Sequence, residues 1–364
     1  MIFAHMADLH LDAPFVVLAN KEKIAMQRRL EQRKAIKDIV EYIKENDIPY
    51  FFIAGDLYEQ EYIRKATIEY VIELFKTINN TKIFITPGNH DPYIKNSFYN
   101  NLKWPENVHI FKEKLEVIEL EDIDIYGYGF NYFYMDNKYP NIEIKNPNKI
   151  NVLITHGDLD ASDASLKQYN PMKLKNIIES GFDYVALGHI HKRNIDKNTT
   201  QSIVYPGSTV SLGFDELGER GFVVGQLEKN KLQAQFIPLK IKTFEESTID
   251  ISELNSEEDL IQKLNEQSLE SEKFYKIILT GEEKFHINVN KIMKYIENDS
   301  IIKLQIETKK QFEITQIANH DNLIGLFAKN ILNKIENSSE DEKEKLLQAF
   351  EIGMEILNKW ELIM

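Results

Sequence analysis

Five apolar runs, each closed by a short segment rich in glycine, aspartate, asparagine and histidine, constrain this chain more than any other feature. The runs are Ile2 to Ala4, Phe51 to Ala54, Ile83 to Thr86, Val152 to Ile154 and Tyr184 to Leu187. The segments after them are Asp8-Leu9-His10, Gly55-Asp56, Gly88-Asn89-His90-Asp91, Thr155-His156-Gly157 and Gly188-His189-Ile190-His191. Short, largely β-branched or aromatic runs read as buried strands, so the polar residues fall on loops at strand ends. An α/β sheet assembles its chemistry on such loops. Taken singly, each segment is more often a turn than a ligand. Together they hold five of the nine histidines, which separate core histidines and turn aspartates explain poorly.

The residue types suit a pair of divalent ions. Two ions about 3.5–4 Å apart need one short anionic bridge, hard oxygen or imidazole donors around them, and open positions for water and substrate. Asp56 suits the bridge. In an extended segment alternate side chains share a side, so Asp8 can converge with His10, and His189 with His191. Glycines 55, 88 and 188 are expected to turn the backbone sharply beside the site.

There is no cysteine, which excludes disulfides and thiolate metal sites. The N-terminus enters a strand and Asp8-x-His10 within ten residues, leaving no room for a cleaved leader, and no apolar stretch approaches the ~18 residues of a membrane span. The expectation is a cytoplasmic protein with no membrane segment.

A formal net charge of −14 argues against DNA binding over the whole surface, because phosphate affinity rests on lysine and arginine. The charge is uneven: residues 236–364 carry −9 and residues 1–235 carry −5. Lys21 to Lys37 holds seven basic residues against two acids, just downstream of Asp8 and His10. This segment reads either as an ordinary helix with a solvated face, its apolar stripe running from Ile24 to Ile43, or as a DNA contact through Arg28, Arg29, Arg33 and Lys34. His5, His109, His286 and His320 read as structural or solvent-facing.

Strand and helix patterns alternate to about residue 190, and short strands follow. The expected class is α/β, a two-sheet β-sandwich flanked by helices over residues 1–237. Residues 238–318 read as a small α+β domain, strand-helix-strand-helix-strand. Residues 319–364 read as two helices, Asp321 to Ile335 and Glu340 to Trp360, with Ser339 and Glu342 as a capping box for the second. Leu323, Leu326, Phe327, Ile331 and Ile335 line one face of the first, and Leu346, Phe350, Met354, Leu357 and Trp360 one face of the second. The pair is either a hairpin packed on its own protein or a docking site for a partner's coiled coil.

With these motifs the sequence resembles the calcineurin-like metallophosphoesterases across roughly its first 200 residues. More narrowly, Ala7-Asp8-Leu9-His10-Leu11-Asp12, Gly55-Asp56-Leu57-Tyr58, Tyr205-Pro206-Gly207-Ser208 and Gly213-Phe214-Asp215-Glu216 resemble the bacterial SbcD and YhaO-type DNA-repair nuclease subunits. That resemblance implies a phosphodiesterase acting on DNA with two divalent ions, usually manganese, and water activated by them attacking phosphorus in line. It implies Asp8, His10, Asp56 and His191 around one ion and Asp56, Asn89, His156 and His189 around the other, with His90 assisting the leaving oxygen. It further implies a capping role for residues 238–318, an SMC-like coiled-coil ATPase as partner through the C-terminal helices, and admits a homodimer. One position departs: three residues after Asp56 the nuclease pattern has a histidine that helps exonuclease action, whereas this chain has Glu59, an anion expected to face the DNA, where it cannot do the same work beside a phosphate. The rival readings are a small-molecule phosphodiesterase for nucleotides or phospholipid precursors, and a weakly active metal-binding scaffold.

Overall fold

The computed structural model describes residues 1–18, 21–137, 139, 141–160, 168–195, 202–310 and 314–361. The chain divides into two compact units, Met1–Glu246 with Leu269–Tyr275, and Ser247–Ser268 with Lys276–Met364. Among the described residues no helix is long and apolar enough to cross a membrane.

The first unit is the expected two-sheet α/β sandwich. One sheet has six strands in the order Lys231–Pro238, Gly221–Glu228, Ile2–Met6, Tyr50–Ala54, Lys82–Thr86, Val108–Ile110. The other has five, in the order Glu116–Glu119, Ile123–Gly127, Ile150–His156, Tyr184–Gly188, Ile203–Val204. Four of the five sequence runs are apolar without interruption because both faces of their strands are covered. Successive side chains of a strand point to opposite faces. Phe51, Ile53, Ile83 and Ile85 therefore meet Ile36, Ile39, Ile43, Ile68 and Phe75 of the helices Glu22–Glu45 and Lys65–Lys76. Their neighbours Phe52, Ala54 and Phe84 face inward, against Val152, Ile154, Tyr184 and Ala186 of the second sheet. Leu153, Val185 and Leu187 pack outward with Ile177 of the helix Leu174–Ser180. The layers run helix, sheet, sheet, helix.

The strands Thr243–Asp250, Lys273–Thr280 and Ile301–Ile306 form a further sheet, of which residues 247–250, 276–280 and 301–306 lie in the second unit with helices Glu257–Asn265 and Val289–Tyr295. Ser256 and Asn288 cap those helices by accepting from Asp259 N and Lys291 N. The chain ends in helices Leu323–Ile335 and Glu340–Glu361, which close on Ile324, Ala328, Ile331, Phe350 and Met354. The side chain of Trp360 lies outside the described residues. Of the expected capping box only one half forms: Glu342 Oε2 accepts from Ser339 N at 3.1 Å, while the Ser339 hydroxyl donates to the same oxygen at 3.0 Å.

His5 is fully buried, with Nδ1 2.9 Å from the Tyr184 hydroxyl. Burial penalises the imidazolium and lowers its pKa from 6.5 to about 3. The unfolded chain therefore binds one more proton than the folded chain between those values. Stability from the neutral ring is complete above pH 6.5 and is lost as pH falls toward 3. Relative to His5→Gln, the metal-free protein should lose up to about 1.4 kcal/mol per pH unit in this window. Urea unfolding of both proteins at a series of pH values tests this, and parallel pH profiles would refute it.

Candidate metal centre

All five polar segments reach one edge of the sandwich, and in three of them the backbone there is strained. Asp8, His10, Asp56 and His189 have φ of 52°, 51°, 51° and 100°, values that side chains rarely adopt and that cost about 1–3 kcal/mol each. Hydrogen bonds hold them there. Asp8 N and His10 N donate to Gly55 O and Asp56 O at 3.1 and 2.9 Å, so the first two segments run side by side. Asp91 Oδ1 accepts from Asp56 N and Gly88 N at 3.1 and 2.6 Å, and its Oδ2 from Leu57 N at 2.7 Å. Gln32, buried on the helix Glu22–Glu45, donates to Leu9 O and His10 O and accepts from Asp12 N. Of the three glycines, only Gly55 supplies a turn, at φ 88°. At Gly188 the requirement is close approach instead, since a Cβ there would overlap Ala54 O.

Four imidazoles each turn one nitrogen to a protein acceptor. His10 Nδ1 lies 2.8 Å from Glu59 Oε1, His156 Nδ1 2.9 Å from Ala54 O, and His191 Nδ1 2.6 Å from Glu216 Oε1. His189 Nε2 lies 3.5 Å from Asp158 Oδ2. The proton belongs on those nitrogens, which leaves a lone pair on each of the others. The lone pairs converge. His10 Nε2 and His191 Nε2 are 3.1 Å apart, and His156 Nε2 is 3.3 Å from Asp56 Oδ2. Asn89 Oδ1 lies 3.0 Å from both His156 Nε2 and His189 Nδ1. Turning the Asn89 amide would relieve its own contacts but neither of the first two. Lone pairs at such distances repel unless a proton or cation lies between them.

The donor set fits divalent cations. Ligand atoms of Asp8, His10 and His191, of His10, Asp56 and His90, and of Asp56, His156 and His189 form three groups, the atoms of each within 4.8 Å of one another. Asp56 and His10 each belong to two of these groups, and of the two only the carboxylate has a pair of oxygens with which to bridge. Imidazole with carboxylate oxygen is a borderline-to-hard set, suited to first-row divalent metals. Charge favours a cation as well. Burial alone would depress His156 and His191, yet Asp56 and Asp8 beside the first, and Glu216, Asp8 and Asp56 beside the second, raise both to about 9. Burial would raise Asp56, but His156, His90 and His10 hold it well below the usual carboxylate range.

Glu59 occupies a place that sequence reasoning did not assign. Its side chain is nearly buried, with Oε1 on His10 Nδ1 and Oε2 2.9 Å from His90 Nδ1. Burial would raise its pKa, and hydrogen bonds from the two imidazoles lower it to about 2. His90 is half-exposed, and its backbone N donates to Asp56 Oδ1 at 2.8 Å. Burial would lower its pKa, while the Glu59 hydrogen bond and the charges of Asp56, Glu59 and Asp91 raise it to about 9.

Within the basic segment, Arg28 is a correction. Arg28 is fully buried, donating to Ser211 O and Lys242 O and pairing with Glu31, so it cannot reach DNA. Arg33 pairs with Asp12 at 2.7 Å, Arg29 Nε donates to Ala13 O at 3.3 Å, and Lys34 pairs with Asp38 at 2.5 Å. Lys34 and Lys37 are each 52% exposed in surface pairs, so these two lysines keep their charge at the surface.

Sequence reasoning also missed positioning residues. Glu216 grips His191 and accepts from Ser208 Oγ at 2.5 Å and Leu212 N at 3.2 Å, which explains both downstream motifs. Asn170 Nδ2 donates to His156 O at 2.8 Å. Partners of this kind fix ring orientation and typically contribute about 10–100-fold in metal affinity. Glu216→Ala should therefore weaken Mn²⁺ binding by about that factor. Calorimetric titration, with a melting curve to confirm folding, measures it, and unchanged affinity would remove Glu216 from this role.

The calcineurin-like phosphoesterase family matches residues 1–193. The chain is 25% identical over 276 residues to the uncharacterized metallophosphoesterase YhaO of Bacillus subtilis, covering 73% of this chain and 67% of that protein. It is 24% identical over 310 residues to a nuclease SbcCD subunit of Staphylococcus saprophyticus, covering 76% and 78%. It is also 24% identical over 287 residues to the DNA double-strand break repair protein Mre11 of Methanocaldococcus jannaschii, covering 72% and 73%. With these matches and the converging donors at the sandwich edge, the chain belongs to the calcineurin-like phosphoesterase family and is a metal-dependent phosphodiesterase.

Proposed function

We propose that the protein is a cytoplasmic DNA nuclease that works with an SMC-like coiled-coil ATPase. The observation that carries this reading is the convergent set of donors with half-exposed His90 beside it, in a chain similar over about three quarters of its length to proteins named as nuclease and double-strand break repair proteins.

Asp8, His10, Asp56 and His191 would hold one ion and Asp56, Asn89, His156 and His189 the other. When bound, two such ions, manganese by the same likeness, activate water and stabilise charge on a phosphate. The chain supplies the rest. Glu59 fixes the rings of His10 and His90 together, so the group that meets the leaving oxygen is held in register with a ligand. His90 Nδ1 is engaged by Glu59, which leaves Nε2 to donate to that oxygen. Asp91 and Gln32 keep the loops strained and in place.

The C-terminal helices support the partner. Their facing side chains close on each other, with the Phe327 and Phe350 rings stacked 5.7 Å apart. Leu323, Leu326, Ile352 and Ile356 are left 70%, 63%, 60% and 53% exposed. Exposed apolar residues on a helix pair suit a coiled-coil surface.

Asp56→Ala should lose metal content and Mn²⁺-dependent DNA hydrolysis together. His90→Ala should keep metal while turnover falls about 10²–10⁴-fold, the contribution of a positioned acid. Metal analysis beside cleavage assays separates the two, and an Asp56→Ala protein that retains both functions refutes the assignment. Leu323→Glu with Leu326→Glu should leave phosphodiesterase activity intact and abolish co-purification with the ATPase, because charge at an interface core carries a desolvation penalty. Retained co-purification would move the partner's site elsewhere.

A further inference from the structure

Beside His90 lies a cleft of about 560 Å³ whose walls are aromatic. Tyr132, Phe133 and Tyr134 follow one another in the chain and are 49%, 36% and 46% exposed, and Tyr62, 52% exposed, lines the same cleft. Three consecutive aromatic side chains held in solvent are costly unless they meet something. They are also held firmly. Upstream, buried Phe130 donates from its backbone N to Pro87 O at 3.0 Å and sets its ring 5.7 Å from that of His156. Downstream, buried Met135 donates to Gln168 O at 2.8 Å and accepts from Asn170 N at 2.6 Å. That bridge brings in Tyr169, whose ring lies 5.1 Å from that of His189 at 33°. The Tyr132 ring meets Phe133 and Tyr134 edge-on, at 5.5 and 4.9 Å. Both ends of the aromatic run are thus tied to side chains that touch candidate metal ligands.

The charge of the cleft limits what can lie in it. Its described lining contains Glu59 and Glu61 and neither lysine nor arginine. A duplex, which exposes phosphates and base edges, finds no neutralising partners among those described residues. An unpaired base exposes its π-face, and stacking on aromatic rings is favourable whatever the base. We propose that Tyr132, Phe133 and Tyr134 form a platform on which an unpaired nucleobase stacks while its phosphate enters the metal centre, so that the substrate class is single-stranded nucleic acid. This rests on the nuclease reading and specifies its substrate. Affinity comes from base stacking more than from phosphate contacts, which is consistent with the burial of Arg28 and the pairing of Arg33 with Asp12.

The test uses the full chain and three probes: an oligothymidylate, an oligomer of the same length with abasic tetrahydrofuran residues, and a duplex. With metal chelated, the wild type should bind oligothymidylate at least about 10-fold more tightly than the abasic strand, and a 2-aminopurine reporter should be quenched on binding. With Mn²⁺, the Tyr132→Leu, Tyr134→Leu double variant should lose about 10–100-fold of the kcat/KM preference for the base-bearing strand, mainly through KM. Tyr132→Phe with Tyr134→Phe should retain the preference, because the rings remain. Equal binding and cleavage of base-bearing and abasic strands by the wild type, or a preference unchanged in the leucine variant, overturns the platform and leaves the nuclease reading standing. Failure to cleave any strand in Mn²⁺ overturns the nuclease reading, and the proposal with it.

Discussion

The carboxylate of Asp91 ties the whole edge of the sandwich together. Fully buried, it accepts three backbone N–H groups, from Asp56, Leu57 and Gly88, and the Tyr99 hydroxyl at 2.6 Å. Those donors come from two different strand-end loops, so one side chain sets the distance between the segment that carries Asp56 and the segment that carries Asn89 and His90. Burial and the charge of Asp56 raise its pKa to about 6 while the hydrogen bonds oppose that rise. A buried acceptor saturated by backbone donors is rigid, because every alternative arrangement leaves N–H groups without partners. The positive φ of Asp56 follows from this, since the loop must turn both of its N–H groups toward one carboxylate.

Outside that knot, convergence is a matter of tautomers. Each of four histidines is locked by a second partner, and three of those partners, Glu59, Asp158 and Glu216, are themselves acids. Acids outside the ligand set make the imidazoles better donors and add negative charge around the centre without competing for the inner positions. Glu59 does this for His10 and His90 at once. A histidine at position 59 could not accept from both rings, so Glu59 joins the orientation of His10 to that of His90.

The strands and most donors were legible because they rest on local rules. Phe51 to Ala54 is apolar throughout since its strand is covered on both faces, and donor chemistry singles out histidine and aspartate at the ends of such strands. What remained hidden is non-local. Gln32 reaches back 22 and 23 residues to His10 O and Leu9 O, and Glu216 reaches 25 residues to His191, pairings that no period in the sequence announces. The basic segment misled for the same reason. Its charge count is a property of the sequence, but the burial of Arg28 depends on Ser211 and Lys242, 183 and 214 residues away. Glu59 looked like an anion facing the substrate because its distance from Asp56 is sequential, whereas its partners are the rings of His10 and His90.

These features divide the work between two kinds of surface. The centre is built from strained loops, buried acids and locked imidazoles, so its geometry changes little with whatever lies outside. Recognition then falls to side chains that can be varied without disturbing it. The aromatic run satisfies that condition: Phe130 and Met135 fix its ends in the core, while Tyr132 to Tyr134 between them are exposed. A formal charge of −14, with Arg28 of the basic helix buried and Arg33 paired, argues against affinity for a polyanion from charge spread over the surface. On the nuclease reading proposed above, it would come from metals at the phosphate and from contacts that charge does not oppose, and the aromatic faces beside His90 suit that role.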